Sequence, residues 1–310
     1  MYRDLRVAVV VPAHNEERLV GTVIRTSPEL VDHIIVVDDA SPDGTAEAAR
    51  AVGDPRAEVI TLEVNQGVGG AILAGHRRAL ELGADVSVVM AGDAQMDPAY
   101  LPTLLDPIAD GTAQFTKANR FYGPGTFEGM PRYRIVGNIV MSFMTKAASG
   151  YWNLFDPLNG YTAIHRSALE PLDLDRIAKR YDFENDLLVN LNILRVRARD
   201  VPIPAVYGDE VSGLKLHTAA PRMFARLFKG FWHRIWWKYV LQSFSPVALL
   251  LFSGLALVAF GTAVGIFIIL NTLGPPVASA GTVVLCVGPL LTGFQLLLFS
   301  MFLDIQEGSA

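Results

Sequence analysis

From Tyr239 to Leu303 the chain runs through 65 residues without one charged side chain or histidine. A segment this apolar has no solvated face to offer, and a buried hairpin of that size is out of proportion to a chain of 310 residues. The tract therefore reads as membrane-spanning. Residues 246–270 and 281–303 are each long enough to cross a hydrocarbon core of about 30 Å. The link between them, 271–280, is an uncharged turn holding Gly274-Pro275-Pro276. Pro289 and Gln295 fall inside the second span. Both are tolerated in a helix packed against neighbours, so a homo-oligomer formed through the spans is expected.

Charge is confined to the rest of the chain. All 26 Lys and Arg lie at or before Lys238, and of the 31 Asp and Glu only Asp304 and Glu307 follow it, so residues 1–238 carry a net charge of −3. That part has the balance of a water-soluble domain. Cys286, the single cysteine, excludes an internal disulfide or a cysteine metal site. The apolar run at 7–11 is too short for a signal-peptide core, so the amino-terminal domain is expected to stay on the side where it is made.

Between the two parts, residues 214–239 read as a basic amphipathic helix. Phe224, Leu227, Phe228, Phe231 and Ile235 share one face, with Arg222, Arg226, Lys229 and His233 opposite. No acidic residue occurs between Glu210 and Asp304, and Trp232, Trp236 and Trp237 add interfacial aromatics. This suits the surface of an anionic membrane; packing on the soluble domain is the competing reading. The basic cluster predicts a cytoplasmic domain, with the carboxy terminus returning to the cytoplasm after two spans. The predicted organisation is a cytoplasmic catalytic domain at 1–213, juxtamembrane helices at 214–243 and a two-helix transmembrane region at 244–310.

The amino-terminal third alternates short apolar runs with helical signals. Strands are predicted at 7–11, 34–37, 58–62 and 85–90, with helices at 16–26, 46–51 and 67–82. Further helices are predicted at 134–148 and 184–194. The rhythm argues for an α/β fold, a mostly parallel sheet with flanking helices. Ligands of such sheets bind at the carboxyl ends of the strands, where Asp38, Asp39, Asp93 and Gln95 lie.

Two polar turns follow the first strands, Pro12-Ala13-His14-Asn15-Glu16-Glu17 and Asp38-Asp39-Ala40-Ser41-Pro42-Asp43-Gly44-Thr45. Acidic groups there can accept hydrogen bonds from a base or a ribose; helix capping is the plainer alternative. Asn65-Gln66-Gly67-Val68-Gly69-Gly70-Ala71 lacks the spacing of a dinucleotide fingerprint, which speaks against hydride transfer. Next come Met90-Ala91-Gly92-Asp93-Ala94-Gln95-Met96-Asp97-Pro98, the arginines Arg120, Arg132 and Arg134, and Asp156-Pro157-Leu158-Asn159-Gly160-Tyr161.

Together, over roughly residues 5–240, these motifs resemble family 2 glycosyltransferases of the GT-A fold, in the dolichyl- and polyprenyl-phosphate mannose or glucose synthase branch with two carboxy-terminal spans. The resemblance implies that Pro12, Ala13, Asn15, Glu16, Asp38, Asp39, Gly69 and Asp93 bind the donor. For Gly69, close helix–sheet packing is an equal alternative. It implies that Asp93 and Gln95 hold Mg²⁺ or Mn²⁺, although the family's D-x-D-x-Q motif has Ala91 in place of its first Asp. It implies that Arg120, Arg132, Arg134 and Asn159 take the acceptor phosphate, a task suited to the planar fork of arginine; a solvated surface is the alternative for any one arginine. Glu184 and Asp186 match the family's acidic segment, or cap a helix. The Q-x-x-R-W signature of processive synthases is absent, as is any nucleic-acid-binding module.

The expected activity is inverting transfer of a sugar from a UDP- or GDP-linked donor to a polyprenyl or dolichyl phosphate, by an integral protein of a prokaryotic cell membrane. Asp93, Arg120 and Arg132 are the expected catalytic residues. A transferase acting on another lipid or a protein, or an inactive membrane scaffold, are the alternatives.

Overall fold

The apolar run at the amino terminus forms strand β1, Val7–Ala13, every residue of which is buried. Complete burial of successive residues requires cover on both faces, the condition of a parallel sheet sandwiched by helices. Each Val or Ile fully buried there contributes about 1.5–3 kcal/mol. The remaining strands are β2, His33–Asp38; β3, Ala57–Thr61; β4, Val86–Val89; β5, Phe115–Asn119; β6, Thr162–His165; and β7, Ala198–Pro202. In this computed structural model the described residues are 1–121, 132–156, 159–180, 182–204, 216–271 and 279–309.

The strands form one sheet in the order β3-β2-β1-β4-β6-β5-β7. All neighbours are parallel except β6, which runs antiparallel between β4 and β5. The sequence reading named only β1 to β4. The helices of this part are α1, Val20–Thr26; α2, Thr45–Ala51; α3, Val68–Glu81; α4, Leu101–Ala109; α5, Arg132–Ser149; α6, Arg166–Leu169; and α7, Phe183–Ile193. Helix α1 starts later than the predicted 16–26, because Asn15 takes a left-handed turn at φ 62° and residues 16–19 complete the loop. Helix α3 lies so close to β1 that a Cβ on Gly75 would meet Val10 Cγ1 at 2.2 Å.

The chain order runs outward from β1 in both directions, β2 and β3 on one side and β4 on the other. This places a topological switch point between β1 and β4, the position at which open α/β sheets take their ligands.

The chain divides into two compact units, Met1–Phe231 and Trp232–Ala310. Helix α8, Leu216–Arg234, runs from the first into the second. Along its apolar stripe Leu227 is buried, whereas Phe224 and Phe228 are exposed. Arg226 is held by Asp182.

In the second unit a π-helical segment, Ile235–Leu241, leads to α9, Pro246–Asn271, and α10, Ala280–Ser309. Two helices are thus long and apolar enough to cross a membrane. They meet at small residues: a Cβ on Gly254 would lie 2.9 Å from the carbonyl oxygen of Gly293, and one on Gly261 2.9 Å from that of Cys286. Close backbone approach at glycine is how helices associate in lipid. Phe260, Phe267, Leu291 and Phe294 point outward, an apolar exterior that a water-soluble hairpin would bury.

Candidate active site

Three loops converge at the switch point. Pairing of Ala13 with Asp38 brings the turns after β1 and β2 together, and the amide of Asp39 donates to the carbonyl of Ala13 at 2.9 Å. On the other side the amide of Gly92 donates to the carbonyl of Pro12 at 3.1 Å. A Cβ on Gly92 would come within 3.1 Å of Ala13 Cβ, so glycine lets the β4 loop approach β1. Asn15, Ala40 and Ala94 all have left-handed backbone, at φ 62°, 53° and 56°. Left-handed non-glycine residues are costly and cluster at functional sites; here one lies in each of the three loops.

The two adjacent acids do different things. Both are buried. Asp39 accepts from the amides of Gln66 and Gly67, each at 2.7 Å, so both its oxygens fasten the start of α3. Asp38 accepts from the amide of Ser41 through Oδ1 at 3.1 Å. The β1 turn is fixed by the β2 loop: the amide of Asn15 donates to Ser41 Oγ at 3.1 Å and that of Glu16 to Thr45 Oγ1 at 2.9 Å. Gly69 has a packing reason to be glycine, since a Cβ would meet Phe183 Cβ at 2.6 Å.

Beyond β4, Asp93 Oδ1 accepts from the amide of Gln95 at 3.0 Å, which leaves Oδ2 without a hydrogen-bond partner among the described residues. Asp97 caps the short helical turn at 98–100 through the amide of Ala99. With Ala91 beside it, Asp93 is the carboxylate this loop offers, and among the described residues no three acidic, histidine or cysteine side chains gather. One carboxylate and one carboxamide fit a hard divalent cation only if diphosphate oxygens and waters complete its shell, the way Mg²⁺ is commonly held.

Arg120 follows β5 directly. Its Nε and Nη2 donate to Asp156 Oδ2 and Oδ1 at 2.7 and 3.1 Å, and its amide donates to Oδ2 at 3.2 Å. Asp156 is buried, while the Arg120 side chain keeps 37% of its surface exposed. Asn159 is spent within its own turn: Oδ1 accepts from the amide of Tyr161 at 3.0 Å, and Nδ2 lies 3.4 Å from Asp156 Oδ2. Arg132 and Arg134 open α5; their side chains lie outside the described residues, as do Pro157 and Leu158.

Beneath Arg120 lies a set of charges of which the sequence motifs include Asp156 and Glu184 but not Lys117 or Asp200. Lys117 of β5 is fully buried and donates to the carbonyl of Asn159. Burial pushes its ammonium below the usual lysine range against the opposing pull of Asp156, Glu184 and Asp200. Burial likewise raises Glu184 and pushes Asp200 up to about 6. Asp186, in the first turn of α7, accepts from the amide of Ala178 at 2.8 Å and so ties the preceding loop to the helix. A lysine inside a five-residue strand was the one signal in the sequence.

The sequence profile of glycosyl transferase family 2 matches residues 8–173. The chain belongs to glycosyl transferase family 2. Among relatives of this family 2 chain is the UDP-N-acetylglucosamine–dolichyl-phosphate N-acetylglucosaminyltransferase of Methanococcus voltae, 30% identical over 66% of this chain and 88% of that protein. The undecaprenyl-phosphate mannosyltransferase of Micrococcus luteus is 36% identical over 65% of this chain and 84% of that protein. The polyprenol monophosphomannose synthase of Mycolicibacterium smegmatis is 35% identical over 59% and 70%. In fold, the family 2 domain is similar to glucosyl-3-phosphoglycerate synthase of Mycobacterium tuberculosis, solved with Mn²⁺, UDP-glucose and glycerol 3-phosphate. The TM-score is 0.58 at 23% identity, over 73% of this chain and 80% of that one. The sheet is the mixed α/β sheet of GT-A glycosyltransferases.

Proposed function

We propose that this chain transfers a sugar from a UDP- or GDP-linked donor to a polyprenyl or dolichyl phosphate. The observation that carries the reading is a conjunction: relatives named for polyprenyl-phosphate acceptors, in a chain that joins a family 2 domain to two apolar helices. Helix α5, which begins at Arg132, exposes Val136, Ile139, Val140 and Phe143. Their spacing makes an apolar stripe suited to a lipid surface, which supports an acceptor phosphate delivered from the membrane.

In this reading the turn Pro12-Ala13-His14-Asn15-Glu16 and Asp38 receive the nucleoside, while Asp39 holds the Gly67–Gly69 segment that walls the pocket. Arg120, Arg132 and Arg134 take the acceptor phosphate, with Asn159 shaping the turn under Arg120. The phosphate oxygen is anionic near neutral pH and needs no strong base. It forms a bond to the anomeric carbon as the bond to the nucleoside diphosphate breaks on the opposite face, which inverts the configuration. Mg²⁺ or Mn²⁺ held by Asp93 and Gln95 with the diphosphate would stabilise the charge on the departing group. Residues 1–213 form the cytoplasmic catalytic domain, 214–243 lie at the membrane surface and 244–310 span it; the spans carry any self-association.

The test is a panel of nucleotide sugars offered to the purified protein with and without a short polyprenyl phosphate. A polyprenyl-phosphate sugar of inverted configuration is the expected product. Donor turnover indifferent to the lipid would refute the acceptor, and no turnover of any donor would favour a scaffold.

A further inference from the structure

Asp200, in the middle of β7, makes no hydrogen bond to the donor loops or to Arg120 among the described residues, yet it ties together the two segments that carry Arg120 and its partner. Its Oδ2 accepts from Asn119 Nδ2 at 3.0 Å and from the amide of Phe155 at 2.6 Å. Asn119 precedes Arg120, and its Oδ1 accepts from the amide of Phe121 at 2.9 Å, so the Asn119 side chain brackets Arg120 from both sides. Phe155 precedes Asp156, which grips the guanidinium. One carboxylate oxygen thus holds the Asn119 side chain and the Phe155 amide, each next to one member of the Arg120–Asp156 pair. The other, Oδ1, is buried without a hydrogen-bond partner among the described residues.

The surroundings favour a group held for its charge. Asp200 lines a cavity of about 340 Å³ with Asn119, Lys146 and Phe155. The charged groups bearing on it are Lys117 from β5, Lys146 from α5 and Asp156 from the segment before β6. Lys146 donates to the carbonyl of Trp152 at 2.9 Å and lies 5.0 Å from the centre of the Phe155 ring, so it braces the same segment. A carboxylate kept in this setting with one oxygen unsatisfied is costly, and its two hydrogen bonds come from the residues that precede Arg120 and Asp156.

We propose that Asp200 is a positioning residue for acceptor binding: ionised, it holds Arg120 and Asp156 in the geometry that receives the acceptor phosphate. The inference rests on the acceptor reading given above. Burial pushes Asp200 up to about 6, with the Phe155 amide, Lys117 and Lys146 opposing that rise. As pH falls through that value the carboxylate takes a proton, its hold on Asn119 and Phe155 weakens, and acceptor use declines. The second ionisation of a phosphate monoester lies near 6 as well, so two protonations suppress the wild-type reaction in one pH range.

The experiment uses the full-length protein in detergent with Asp200→Asn and Asn119→Ala. Hydrogen exchange read by mass spectrometry tests the tether without any substrate. Peptides covering 115–121 and 151–156 should exchange several-fold faster in both variants, with β1 to β3 unchanged. With nucleotide sugar and polyprenyl phosphate, both variants should raise the acceptor KM about tenfold, the scale of losing a supporting contact behind a binding group, and leave the donor KM within about twofold. Below pH 6 the logarithm of acceptor kcat/KM should fall with a slope of about two in the wild type and in Asn119→Ala, and about one in Asp200→Asn. Unchanged exchange in both variants would overturn the tether. An unchanged acceptor KM in a protein that turns over polyprenyl phosphate would overturn the positioning role alone. If the wild type ignores polyprenyl phosphate, it is the acceptor reading that falls, and the exchange result still decides whether Asp200 holds the Arg120 segment.

Discussion

Replacing Asp304 by alanine should destabilise the membrane unit more than any change on its apolar exterior. Arg234 is fully buried, and its Nη1 and Nη2 donate to Asp304 Oδ1 and Oδ2 at 2.5 and 3.0 Å. Tyr239 Oη donates to Oδ1 at 2.6 Å. The carboxylate therefore ties the end of α10 to the segment that precedes α9. Removing it takes the carboxylate from a buried guanidinium, which costs about 3–5 kcal/mol, and weakens a buried hydroxyl's bonding by about 1 kcal/mol more. The neighbouring Lys238–Glu307 pair, at 3.8 Å with Glu307 42% exposed, is too open to compensate, being worth at most about 1 kcal/mol. Unfolding of the detergent-solubilised protein in rising dodecyl sulfate, followed by tryptophan fluorescence, reads the loss. The double variant Arg234→Met with Asp304→Leu should recover most of it, because removing both charges takes the buried ion away with its partner. A loss below about 1 kcal/mol for Asp304→Ala, or a double variant no better than the single one, would refute the reasoning.

Asp93→Asn should lower sugar transfer by roughly a hundredfold or more while the fold, checked by circular dichroism, is kept; near-normal metal-dependent turnover would remove Asp93 from the site. Gly75→Ala should destabilise the amino-terminal unit by about 1–3 kcal/mol, because its Cβ would press on Val10 at 2.2 Å; a chemical melt equal to the wild type would show that α3 can shift freely. His76 is buried against Ser87 Oγ at 2.8 Å, and burial lowers it from 6.5 to about 4. The unfolded chain takes up a proton that the folded one refuses, so stability should fall as pH drops from about 6.5 towards 4. The loss reaches about 3 kcal/mol at the low end. His76→Gln should flatten that window, and a variant as pH-sensitive as the wild type would discount the histidine.

Much of this molecule could be read from short-range pattern. The charge-free tract announces two helices long and apolar enough to cross a membrane, and β1 to β4 announce themselves as apolar runs separated by turn and helix signals. The turns carrying Asp38, Asp39, Asp93 and Gln95 follow those strands, so their convergence follows from the parallel arrangement. The pattern fails where long-range pairing decides. Strand β6 enters between β4 and β5 in the opposite direction, and its four residues carry no periodicity that fixes a direction. The paired aspartates look equivalent in sequence, yet Asp39 spends both oxygens on amides 27 and 28 residues away.

The acceptor side shows the same limit more sharply. In the sequence Arg120 stands out through the family resemblance, but what governs its guanidinium is Asp156, 36 residues on. What governs the segments bearing both is Asp200, 81 residues from Asn119 and 45 from Phe155. None of these separations is a period of any helix or strand. They exist because β5 pairs with β7 in parallel, with Lys117 opposite Asp200 and Asn119 opposite Pro202. That register puts the fully buried Lys117 beside the half-buried Asp200, where each carries a desolvation cost the other partly offsets. A lysine retained in the middle of a buried strand is therefore the local mark of a distant carboxylate. In this chain that carboxylate stands behind the arginine assigned to the acceptor, and a substitution at Lys117 should disturb Arg120 through Asp156 and Asp200 without touching either donor loop.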